Sequence, residues 1–322
     1  DPRAAADFCS QTAEFQCRIG QCDAARELCK HGLQHWRRTV GHPTEGAARL
    51  MFFYGLSLSK QGQYSASLAH YRAALKTFEE AGVGNTRWVA KCFTLIGAIH
   101  RELGDQDRCM EHLDKAESIF LEARASRTPD AGICAVARGR ALLRQGQPGQ
   151  HKEALRRFQQ ASEIYDSTEE PCPLAKAAWR RSMGRLLYSM DGMDSVNNNA
   201  QEHFTQACAA YDDAGAERSE GAADCHAWIG RLHLRRARGS HNRLSGGPGC
   251  VATPSGGPHQ MEEDEDELRA LRCFRKALHI YASTGAGTHP DARSVAHEIR
   301  TTLGLPATAS MREVEERGAN RG

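Results

Sequence analysis

The sequence has almost no charge bias. Lys and Arg number 42 against 40 Asp and Glu, a formal balance of +2, so global electrostatics exclude a general polyanion binder. Aromatic residues are scarce, at 7% of 322 residues. With apolar residues at 40% and a mean hydropathy of −0.59, the chain is too polar for one large core. That composition fits a shape with much surface per residue, such as a row of helix pairs. No uncharged apolar run approaches the ~18 residues of a membrane span. Residues 1–30 also lack the basic-then-apolar pattern of a secretory signal. The expectation is a cytoplasmic protein with no membrane contact, in keeping with a cytoskeletal or ciliary assembly. From the start at Asp1-Pro2, without Met, the expectation is an excised or processed piece.

Closely spaced cysteines are missing too. The twelve that occur are about 4% of the chain, with no CxxC pair, below the density of a disulfide scaffold. Cys29, Cys92, Cys109, Cys134, Cys208, Cys225 and Cys273 stand where a helix needs a small apolar side chain, and they read as buried free thiols. Cys17, Cys22, Cys29, His31 and His35 match no standard zinc spacing, and no metal is expected. Nucleotide-loop, HExxH and GxSxG motifs are all absent. The chain is therefore expected to be no enzyme and to need no cofactor.

What the sequence does have is a period. A small residue followed seven positions later by Gly recurs as Ala13/Gly20, Gly55/Gly62, Gly97/Gly104 and Gly139/Gly146, in steps of 42 residues. The small position continues at Gly184 and Gly230. After each turn come a small residue, a bulky one and Ala at offsets of four and three. These are Ser67, Tyr71, Ala74; Cys109, Leu113, Ala116; Ala154, Phe158, Ala161; Ala200, Phe204, Ala207; and Ala270, Phe274, Ala277. Those offsets put all three on one helical face. The alternation of small and large lets one helix lie close against a partner.

Each unit is thus two antiparallel helices, with loop signals between units at Gly41–Pro43, Gly82–Asn85, Thr128–Asp130, Pro171–Pro173 and Gly215. The expected fold class is all-α, with six units at about 1–40, 43–83, 86–127, 130–169, 173–215 and 219–285. A capping helix follows at 291–304, closing one array over 1–305, and a flexible tail occupies 306–322. The sixth unit carries an insertion at 239–267, rich in Gly, Pro and Ser and ending in the six acids Glu262–Glu267. Such a stretch reads as a disordered loop.

A small residue in the first helix, small-x3-aromatic-x2-Ala in the second and Gly at the turn resemble the tetratricopeptide repeat. The units are about eight residues longer than the common form of roughly 34. That spacing is similar to the repeats of kinesin light chains and Pins-type adaptors, which bind peptides of partner proteins. The resemblance implies a right-handed α-solenoid whose first helices line a concave groove at their fifth, ninth and thirteenth positions. Carried onto this sequence, those positions place Arg140, Arg144, Arg181, Arg185, Arg231 and Arg235 on one basic wall. Phe52 and Leu56 give a more apolar stretch before it.

Arg suits a carboxylate guest because its planar fork gives two hydrogen bonds. The expected function is a non-catalytic interaction scaffold or adaptor that binds an acidic peptide of a partner protein. Three alternatives stand beside it: a solvated face paired along its own helices, a nucleic-acid-binding helical repeat, and the regulatory module of a larger enzyme. The wall shows few aromatics besides Tyr188 and Trp228, which favours a protein partner over nucleic acid. The acidic run Glu262–Glu267 is a candidate guest from the same chain.

Overall fold

The computed structural model describes residues 2–146, 148–190, 194–245, 258–284 and 290–304. Among the described residues there are thirteen helices and no strand. In chain order they are α1 (Pro2–Arg18), α2 (Cys22–Thr39), α3 (Glu45–Lys60), α4 (Tyr64–Glu80), α5 (Arg87–Glu102), α6 (Gln106–Glu122) and α7 (Pro129–Gln145). Then follow α8 (Pro148–Ser167), α9 (Pro173–Ser189), α10 (Asp194–Asp213), α11 (Glu220–Ser245), α12 (Pro258–Ser283) and α13 (Pro290–Thr302). This is an all-α solenoid of helix pairs, with α1/α2, α3/α4, α5/α6, α7/α8 and α11/α12 packed together.

The pair has a local cause. Gly20, Gly62, Gly104 and Gly146 hold φ between 67° and 85°, the left-handed region that favours glycine, and so each can end one helix and start the next. Thr44 caps α3 by accepting from the Ala47 amide, and Asp105 caps α6 by accepting from the Arg108 amide.

The small-bulky-Ala triads form the core. All fifteen of their side chains are fully buried. Opposite Tyr71, Leu113, Phe158 and Phe274 stand Gly55, Gly97, Gly139 and Gly230, whose lack of a side chain admits the bulky residue. A Cβ added to Gly139 would lie 2.4 Å from Phe158 Cε1, and one added to Gly230 would lie 2.6 Å from Phe274 Cε1. At Gly55 the approach is close enough that the Ser67 hydroxyl donates to its carbonyl at 2.7 Å.

The chain divides into two compact units. The first is Asp1–Leu186 with Ala214–Ala216, and the second is Leu187–Asp213 with Glu217–Gly322. The first unit holds one apolar cluster from α1 to α5 around Phe52, Tyr71 and Trp88, and another from α5 to α8 around Leu113, Phe120 and Cys134. The second unit is built on Phe274, Tyr281, Val295 and Ile299, so α13 is part of its core.

The expected loop at 239–267 is corrected at both ends. Helix α11 continues to Ser245 and α12 begins at Pro258, so the acidic run lies on a helix. The physical reason is visible in Glu265, which pairs with Arg269 one turn on at 2.6 Å. The middle of the insertion and the tail at 306–322 lie outside the described residues.

Candidate functional site

In the first unit the basic side chains gather around the end of α5. Arg101 is buried, with 6% of its surface exposed. Its Nε donates to Glu102 Oε1 at 3.2 Å and its Nη2 to the same oxygen, while Nη1 is buried and has no hydrogen-bond partner among the described residues. Arg144 of α7 reaches Glu102 Oε2 at 3.5 Å. One turn earlier stands Arg140, half-buried, with no ion pair or side-chain hydrogen bond among the described residues. Arg181 and Arg185, one turn apart on α9, are also half-buried.

The electrostatics of this cluster are unbalanced. Arg101, then burial, then Arg181 and Arg185 push the Arg140 guanidinium well below the usual arginine range, and Glu102 opposes them. Burial acts to raise the Glu102 carboxyl. Arg101, with Arg140 and Arg144 behind it, outweighs burial and holds that carboxyl below the usual carboxylate range. Glu102 thus feels three guanidinium groups, of which Arg101 and Arg144 bond to it. Such a site gains from an anion that brings its own hydrogen-bond acceptors.

In the second unit the arginines at the same repeat positions are occupied. Arg231 Nε donates to Glu298 Oε1 of α13 at 2.8 Å, and its Nη2 to the Ser294 hydroxyl at 3.4 Å. Its guanidinium lies 4.4 Å from the Trp228 ring centroid. Arg235 donates to the Tyr188 carbonyl at 2.9 Å and stacks 3.5 Å over the Tyr188 ring. Tyr188 and Trp228 meet edge to face at 5.0 Å. The acidic run reaches a neighbour in its own unit: His233 Nδ1 and Asp266 Oδ1 are 2.9 Å apart.

Residues 9–80 match the model of the tetratricopeptide repeat family. That match runs from within α1 to the end of α4. Among solved structures the chain is similar to a chain of the APC/C hetero-tetramer Cut9-Hcn1, at 14% identity and a TM-score of 0.54. That match covers 85% of this chain but only 40% of the other, so this chain spans about two fifths of its length. It is also similar to a Rap protein complexed with Competence and Sporulation Factor, at 12% identity and a TM-score of 0.52, over 99% of this chain and 100% of that one. No curated protein matches the sequence.

Placed on the repeats, the expected site residues divide. Arg140, Arg144, Arg181 and Arg185 belong to the first unit's cluster. Arg231 and Arg235 belong to the second unit and are engaged there. Phe52 is corrected: it is 1% exposed and wedged among Phe53, Tyr71 and Trp88 at ring distances of 5.1 to 5.6 Å, so it is core and not groove wall. Leu56 is half-buried against the same core. Arg101 is the residue that counting groove positions misses, because it precedes the thirteenth position held by Glu102. Its signal was the Arg-Glu pair at the helix end. Among the described residues no group of three or more potential ligands could hold a metal ion, and no helix is long and apolar enough to cross a membrane.

Proposed function

We propose that the chain is a non-catalytic interaction scaffold whose first unit takes an acidic segment of a partner protein between α5, α7 and α9. The observation that carries this reading is Arg140. It is half-buried among Arg101, Arg181 and Arg185, and among the described residues it makes no ion pair, with Glu102 alone named as opposing those charges. The buried, unpartnered Nη1 of Arg101 adds a second donor without an acceptor. A carboxylate from outside would satisfy both, with each charged bond contributing ~1.5–3 kcal/mol.

Support comes from within the chain. Arg231 stands at the ninth helix position of its repeat, as Arg140 does, and there the guest is a carboxylate, Glu298. Both solved relatives with this fold have a protein or factor bound, which supports a protein partner here. Tyr188 and Trp228, the aromatics that could have stacked on bases, are taken up by Arg235, Arg231 and each other. That arrangement favours a protein over a nucleic acid.

The test is fluorescence anisotropy with a short labelled peptide alternating Glu and Leu, beside the same peptide with Gln for Glu. Wild type should bind the acidic peptide, and Arg140→Glu should weaken it by about tenfold or more, which is ~1.4 kcal/mol. Equal binding of both peptides, or no loss in Arg140→Glu, would refute the reading. A labelled single-stranded oligonucleotide forms a third arm. Oligonucleotide binding stronger than peptide binding would reverse the choice of partner.

A further inference from the structure

The second unit holds a cluster of sulfur and imidazole that the scaffold reading does not use. The Cys225 thiol of α11 hydrogen-bonds the Cys208 sulfur of α10, the two helices pack together, and His226 follows Cys225 in the chain. The Cys208 sulfur lies 3.9 Å from both His226 Nδ1 and Nε2. Cys225 is wholly buried, and Cys208 keeps 9% of its surface exposed.

We propose that Cys208 and Cys225 form a peroxide-sensitive thiol pair, with Cys208 the sulfur attacked by oxidant and Cys225 the sulfur that closes the disulfide. The reactive form of a cysteine is its thiolate. The Cys225 thiol donates to the Cys208 sulfur and outweighs burial, and with His226 it brings Cys208 down to about 5; Asp212 opposes this. The third thiol of the cluster, Cys273 of α12, is held up by burial and by Cys208, against Lys276, and so stays protonated. Elsewhere burial raises the thiols: Cys172, half-exposed, is pushed up, and Cys17 and Cys134 are pushed up to about 12. A second thiol in contact with a low thiol can act as the resolving partner of a redox sensor.

The chemistry balances with a hydroperoxide as oxidant. Cys208 passes its proton to His226, and the thiolate attacks a peroxide oxygen. An S–O bond forms as the O–O bond breaks, and the departing alkoxide or hydroxide takes the proton back, leaving a sulfenic acid. The Cys225 sulfur then attacks the Cys208 sulfur. The S–S bond forms, the S–OH bond breaks, and hydroxide leaves with the Cys225 proton as water. Two thiols and one peroxide give one disulfide, one alcohol or water, and one further water. The product ties α10 to α11.

The reduced full chain is treated with hydrogen peroxide at near-neutral pH and digested without reductant, and linked peptides are quantified by mass spectrometry. The expected result is a Cys208–Cys225 link that forms at least about tenfold faster than any oxidation of Cys172. Cys225→Ser should stop at the sulfenic acid and give a dimedone adduct on Cys208. His226→Gln should slow the link by about tenfold, with His226→Asn and circular dichroism controlling for folding. Cys172 reacting first, no adduct on Cys208 in Cys225→Ser, or full speed in both folded His226 variants would overturn the proposal.

Discussion

The two units use the same repeat positions in opposite ways. Arg140 in the first unit and Arg231 in the second stand at the ninth position of their first helices, and Arg144 and Arg235 at the thirteenth. In the second unit Glu298 and Ser294 of α13 accept from Arg231, and Tyr188 holds Arg235 through both its carbonyl and its ring. In the first unit Arg140 meets more guanidinium groups, and one carboxylate, Glu102, is shared among its neighbours. The ninth and thirteenth positions thus carry arginine in both units, but position does not decide whether that arginine is free to bind. What decides that is the charge brought by the next helix, and α13 brings an acid where α9 brings two arginines.

The comparison presumes that each unit is held by its own core. Gly139→Leu and Gly230→Leu test this with the largest expected effect, because each would drive a side chain into a buried ring at under 3 Å. Overpacking of this kind costs about 1–3 kcal/mol. Each loss should stay near its own site, since stacked repeats contact their neighbours alone. Hydrogen exchange should show α7 and α8 losing protection in Gly139→Leu while α11 and α12 keep theirs, with the reverse in Gly230→Leu. Uniform loss throughout the chain in either variant would show that the cores are not separate.

A smaller effect sharpens the contrast. Glu298→Ala should give the second unit the character of the first by leaving Arg231 without its carboxylate. The expected cost is about 1–3 kcal/mol in stability. An acidic peptide should then bind a second copy per chain, read as stoichiometry in titration calorimetry. An unchanged melting curve and unchanged stoichiometry would mean that Glu298 is not what occupies Arg231.

Much of the helix pairing was legible because its signals are local. The small-bulky-Ala triads each fall within eight consecutive residues, and the fully buried rings of Tyr71, Phe158, Phe204 and Phe274 follow from that spacing. The site was legible in part. Arg140, Arg181 and Arg185 could be placed together by counting, since each lies at a fixed distance from a small residue. Counting could not show that Glu298, 67 residues after Arg231, closes on it, because that pairing depends on how α13 packs. Nor could it separate Phe52 from the groove: Phe52 and Phe53 are adjacent, and Trp88, far along the chain, covers both. The acidic run was misread by composition. The Gly and Ser before it suggested a loop, whereas the Glu265 and Arg269 spacing within it is that of a helix.

The central claim is that the first unit holds its arginines together at a cost to stability that an anion relieves. Thermal unfolding of wild type and Arg140→Met, each with and without the Glu-Leu peptide, tests it most directly. The account predicts that Arg140→Met melts at or above the wild-type temperature when free, and that the peptide raises the melting temperature of wild type alone. A variant that melts lower than wild type and is still stabilised by the peptide would contradict it.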